Sequence, residues 1–212
     1  MSDARQPSAK SLVFVSSALT LLVTMVRVVG ERSGWSPLWF SSSAEIPGGL
    51  FGITWLVPVF GVLFGHRLAE AGPRPPFVSG FFVPMFAWCA LVAAALFVLH
   101  TKDSAELHDR IGYLVHAGPP LLLLGLFAWP RVFLVMFVYA LLARVPVVVV
   151  QYLDLQNGWQ THYGQLPSGM PAMAADERMH WLAMLQACFW VPFTVLLGGG
   201  FAAIGAATVR KA

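Results

Sequence analysis

Long continuous runs of apolar residues, separated by short polar stretches, organise the whole chain. Six runs are long enough to cross a hydrocarbon core of about 30 Å, which takes roughly 20 helical residues. They cover residues 11–30, 50–68, 77–99, 111–129, 132–153 and 181–209. A β-barrel also satisfies every backbone group in lipid, but its strands alternate apolar and polar positions. Leu121-Leu122-Leu123-Leu124 and Ala93-Ala94-Ala95 do not alternate, so the runs predict helices. At Trp129-Pro130-Arg131 a single helix would be too long for a bilayer, and a tight hairpin there leaves two spans of normal length. The expected fold is an all-α integral membrane bundle of six transmembrane helices, forming one polytopic domain over residues 1–212. A long outer loop joins its last two helices.

Composition agrees with that class. Hydrophobic residues make up 58% and charged residues 11% of the 212, and mean hydropathy is +0.71, so lipid rather than water must be the solvent. The net charge of +3 is scattered, with no basic cluster or helix face, so nucleic acid is not an indicated partner. Arg5 and Lys10 precede the first run as in a signal peptide. That run is too long for one and lacks a small-residue cleavage site, so a retained first helix is expected. Cys89 and Cys188 both fall within helical runs and make neither a disulfide framework nor a Cys-x-x-Cys motif.

Charge placement orients the bundle. With a cytoplasmic N-terminus, Arg5, Lys10, Arg67, Arg74, Arg131, Arg210 and Lys211 fall inside, and Arg27, Arg32, Lys102, Arg110 and Arg178 fall outside. This modest excess places both termini in the cytoplasm. Acids cluster on the outer side. Arginine outnumbers lysine in a chain rich in Ala, Gly and Pro, which fits a GC-rich bacterial genome and an inner (plasma) membrane.

Small residues mark close packing: Gly61-Val62-Leu63-Phe64-Gly65 is a GxxxG, and Gly198 to Ala206 forms a small stripe on the last helix. Both lie toward the cytoplasmic side, so a bundle closed inside and open outside is expected. Trp35 and Trp39, in the first outer loop, suit the headgroup layer. The last loop, residues 155–179, carries Trp159, His162, Tyr163 and Leu166 and is too aromatic for a solvated tail, so it is expected to fold over the helix ends as a cap. Its Thr161-His162-Tyr163-Gly164 stretch is distinctive but names no mechanism.

Arg144 is the chief candidate for function. It lies inside the apolar run 132–150, ten residues before Asp154, hence roughly 15 Å below the outer end of its helix. A charge at that depth must snorkel, pair or face a polar cavity. Gln151, two turns on, shares its face. His116 precedes Pro119 and Pro120, which lack N–H groups and free the carbonyls of Val115 and His116; Pro146 likewise frees that of Leu142. These carbonyls are the expected acceptors for Arg144, since no acid lies in a helix interior. With His180, Gln186 and Arg27 near the outer surface, the expected ligand site is Arg27, His116, Arg144, Gln151, His180 and Gln186 around an outward-facing cavity. Such a site attracts a small anionic or lipid-like ligand, with transport as one role.

Two other classes compete. The chain could serve as a non-catalytic subunit or scaffold of a membrane complex, with Arg144 meeting partner subunits or fixing packing. It could instead be a membrane oxidoreductase holding a quinone, or haem between His116 and His180. Met170, Met173, Met179 and Met184 with His162 and His180 are also a soft set of the kind that selects copper(I). No catalytic motif is present: there is no Gly-x-Ser-x-Gly, His-Glu-x-x-His or phosphate-binding glycine loop, so an enzyme is not the expected class.

Overall fold

The computed structural model describes residues 9–42, 52–100, 104–166 and 172–209. Its helices are α1 (Ala9–Arg32), α2 (Leu56–Glu70), α3 (Phe77–Leu99), α4 (Ser104–Ala128), α5 (Pro130–Asn157), α6 (Ala175–Leu185) and α7 (Val191–Ala207). A 3-10 turn (His162–Gly164) lies between α5 and α6, and a π turn (Gln186–Trp190) joins α6 to α7. No strand occurs among the described residues.

Among the described residues, five helices are long and apolar enough to cross a membrane: α1, α3, α4, α5 and the continuous run Ala175–Ala207. The expected second span differs. Residues 50 and 51 lie outside the described residues, and α2 begins only at Leu56, so its 15 residues reach about 22 Å. The fourth helix departs the other way, starting at Ser104 rather than near residue 111, because polar residues continue the helix past the apolar run. The hairpin is where proline places it. Helix α4 ends at Ala128, Trp129 is extended, and Pro130 opens α5 at a position that needs no N–H.

The bundle wears its apolar side outward. On α1 the buried face is Ser16, Thr20, Thr24 and Arg27 with Val13, Val23 and Val28, while Phe14, Leu19, Leu22 and Met25 are exposed. Phe86, Phe97 and Phe127 stand out from α3 and α4, Phe127 with 79% of its surface open. Water would penalise this arrangement at roughly 25 cal/mol per Å², whereas hydrocarbon does not. The exposed surface is that of a membrane-embedded protein.

Helix α7 is the centre. It packs most extensively on α2 and α3 and also touches α4 and α5. The GxxxG of α2 and the small stripe of α7 face one another: a Cβ on Gly61 would meet the backbone of Gly198, one on Gly65 the carbonyl of Ala202, and one on Gly205 the carbonyl of Val62. Missing side chains let these backbones touch, which is how helices gain dispersion energy without a hydrophobic driving force. Around this contact Phe60, Phe64 and Tyr139 pack edge to face, with ring centroids 5.3 and 5.9 Å from Tyr139.

Candidate functional site

Helix α5 buries Tyr139, Ala140, Ala143, Arg144, Val147, Val150, Gln151 and Asp154, whose spacings of three and four residues put them on one face. Arg144, Gln151 and Asp154 therefore form an inward polar file, and Leu141, Leu142, Val145 and Val149 cover the opposite, exposed face. Arg144 is 7% exposed. It donates from Nη2 to Thr194 Oγ1 at 3.1 Å, and its guanidinium lies 4.9 Å from the centroid of the Trp190 ring. Thr194 Oγ1 in turn donates to the Trp190 carbonyl at 2.8 Å. The expected acceptors, the carbonyls of Val115, His116 and Leu142, are thus replaced by a hydroxyl and a π face from the last helix. A cation desolvated over an indole gains about 2 kcal/mol, which offsets part of its burial cost.

Thr194 and Trp190 are placed by the π turn. In it the Val191 N–H bonds to the Gln186 carbonyl, one residue beyond the α-helical partner. Such turns are frequent at functional sites because the extra residue re-aims neighbouring side chains. Pro192 has no N–H, so the Cys188 carbonyl loses its helical donor, and α4 packs against it through Gly118, where a Cβ would collide with that oxygen. The turn leaves Gln186 buried. Arg144 Nε, Gln151 Oε1 and Gln186 Oε1 are all buried without a hydrogen-bond partner among the described residues. Each such group costs about 1–3 kcal/mol unless something meets it.

A short lid closes this end. After α5, Gly158 turns the chain in the left-handed region (φ 62°), and residues 159–166 fold back over the bundle. Asp154, 3% exposed, accepts from the Thr161 and Gly164 amides at 3.1 and 3.2 Å and from the Thr161 hydroxyl. Gly164 is required there, because a Cβ would press on the carboxylate. Glu31, its side chain wholly buried, accepts from Arg27 Nε at 2.7 Å on Oε1 and from the His162 amide at 2.9 Å on Oε2, and His162 Nδ1 lies 2.6 Å from Oε1. Arg27 also donates to the Ser41 carbonyl at 3.3 Å. Outside this clasp Arg32 stacks on Trp159 at 4.4 Å.

Tyr163 is the lid's inward tooth. It is 6% exposed, hydrogen-bonds to Thr24 and lies within electrostatic reach of both Arg27 and Arg144. Burial pushes its phenol up to about 12, so it stays protonated. Burial also lowers the His162 pKa below the usual range, aided by Arg27 and opposed by Glu31. The imidazole is therefore neutral at pH 7, with Nδ1 set against the Glu31 carboxylate.

The six sequence candidates separate into three groups. Arg144, Gln151 and Gln186 are buried on α5 and the π turn that packs against it. Arg27 is buried in the lid clasp. His116 and His180 are exposed, His116 with Nδ1 2.6 Å from the Gly112 carbonyl of its own helix, so neither joins the buried group. The sequence pattern does not single out Glu31, Asp154, Thr194, Trp190 or Tyr163 as site residues. The distinctive residues 161–164 were the available signal for the lid. No group of three or more His, Cys, Asp or Glu able to hold a metal occurs among the described residues. Of the methionine set, Met170 lies outside the described residues, and His162 is engaged by Glu31. Compared with protein-family models, curated proteins and solved structures, the chain matches none.

Proposed function

We propose that the chain is a six-span protein of a bacterial inner membrane, with both termini cytoplasmic and the lid on the outer face. In this reading it binds a small anionic or lipid-like ligand between α5 and the π turn, beneath Tyr163. The observation that carries the proposal is the set of buried, unpartnered atoms, Arg144 Nε, Gln151 Oε1 and Gln186 Oε1. A ligand bearing an oxyanion or carbonyl beside a hydroxyl would satisfy them, the oxygen taking the guanidinium and the hydroxyl an amide oxygen. Lid opening gives such a ligand its path, which suits a transport role. Native mass spectrometry of gently extracted protein tests the reading. A small molecule should leave with the wild type and be absent from Arg144→Leu, and a wild type that carries none would refute it.

A second reading is a non-catalytic scaffold within a membrane complex. It is supported by the internal engagement of Arg144 with Thr194 and Trp190, which suits a residue that fixes packing. Under it, Arg144→Leu loses partner subunits while any bound molecule is retained.

A further inference from the structure

At the end of the bundle away from the lid, the start of α3, the α4–α5 turn and the end of α7 enclose a groove of about 600 Å³. That is the size of small-molecule sites, ~300–1,000 Å³. Its walls are largely apolar and include Pro75, Phe77, Ala203 and Ala207; Arg74 supplies donors. Arg74 donates to the carbonyls of Ala206 and, at 3.1 Å, Val209, and so caps bare carbonyls at the end of α7. Trp129 is 5% exposed, and its indole Nε1–H has no partner among the described residues. Trp129 lines both this groove and a smaller cavity among Gly80, Pro84, Gly125 and Gly199, and its N–H is closed off from the open space of the groove.

Charge narrows the occupant. The exposed Arg131 begins two residues after Trp129, and its guanidinium packs over Gly72, just before Arg74. Arg67 stands one turn further along α2 with Glu70 at 3.1 Å. A groove with Arg74 in its lining beside apolar residues, with Arg131 close to it over Gly72, at the level where helices end, matches a molecule with a phosphate head and a hydrocarbon tail. We propose that it binds an anionic phospholipid of the surrounding leaflet, with its phosphate at Arg74 and within reach of Arg131, and the start of an acyl chain along Phe77 and α7. Basic pockets between membrane helices recognise lipid headgroups by this combination. The site requires only that the chain be membrane-embedded and is independent of the reading of Arg144.

The test uses the full chain in detergent, titrated with phosphatidylglycerol, phosphatidylcholine or inorganic phosphate and followed by native mass spectrometry. Phosphatidylglycerol should be retained as a single adduct and phosphatidylcholine should not, and inorganic phosphate should fail to displace the lipid. Arg131→Gln, at an exposed position, should weaken retention about fivefold. Ala207→Phe, also exposed, should block the groove while leaving the melting temperature unchanged. Arg74→Gln should weaken binding too, but it also uncaps the end of α7, so the two exposed variants decide. Equal retention of the two lipids, undiminished retention in Ala207→Phe, or displacement by phosphate alone would overturn the proposal.

Discussion

At the lid end, Asp154 and Glu31 grip residues 161–164 through charge-assisted hydrogen bonds around a polar interior. In the far half, Gly61 and Gly65 lie directly against the backbone of Gly198 and Ala202. One end is closed by a few directional bonds that a proton or a ligand can compete for. Between α2 and α7 the other is closed by backbone contact that leaves no room for a Cβ. Under the proposed function the difference assigns motion: the bundle opens where closure is polar and pivots where it is packed.

The largest effect should come from breaking the packed half. Gly65→Val would drive two methyl groups into the Ala202 carbonyl, and because the obstacle is backbone, α2 and α7 must separate. A loss of about 3 kcal/mol is expected, at the upper end for overpacking. Thermal unfolding in detergent followed by circular dichroism measures it. A variant as stable as the wild type would show that the packed half yields as readily as the lid.

Asp154→Ala should be smaller and local. It leaves the Thr161 and Gly164 amides and the Thr161 hydroxyl without their acceptor, at a cost of about 2 kcal/mol confined to lid closure. Hydrogen exchange should then rise across residues 159–166 while α2 and α7 keep their protection. Exchange rising throughout the bundle would mean that the lid is part of the core and would erase the contrast between the ends.

The sequence reveals length and depth better than direction. Helix α3 begins and ends where its apolar run does, and the hairpin follows from Pro130, because both depend only on residue order. Arg144 is buried as its depth required, but its partners were not legible. Helix α5 marks its inward face with Arg144, Gln151 and Asp154, but nothing along it records which residues of the other helices come to meet them. His116 meets the same limit: depth alone puts it beside Arg144, and its helix leaves it exposed. Helix α1 was more readable than it was taken to be. Ser16, Thr20 and Thr24 recur every fourth residue in line with Arg27, and that stripe is the buried one, with Thr20 Oγ1 3.0 Å from the Tyr139 hydroxyl. Glu31 and Asp154 stand at the ends of apolar runs, where a charge looks solvated until its partners, such as His162 for Glu31, come from a distant segment.

The smallest effect concerns protons, and it sharpens the comparison because only the lid end should respond. His162 faces Glu31 and Arg27, with Asp154 close enough to act on it electrostatically, and its folded pKa lies below the ordinary 6.5. With the lid open the imidazole regains water and its ordinary value, so between the two values the open form binds more protons. Closure is then favoured as pH rises. The contribution is complete above about 6.5 and is lost as pH falls through the lower, closed-state value, at about 1.4 kcal/mol for each unit separating them. Hydrogen exchange of residues 161–164, corrected for its intrinsic pH dependence, should show protection falling between pH 7 and 5, with the Gly61–Gly65 segment of α2 unchanged. His162→Gln should flatten that profile. If the profile persists in the variant, the response does not belong to the histidine, and the Glu31 carboxylate, held below its ordinary value in the closed lid, is the group to replace next.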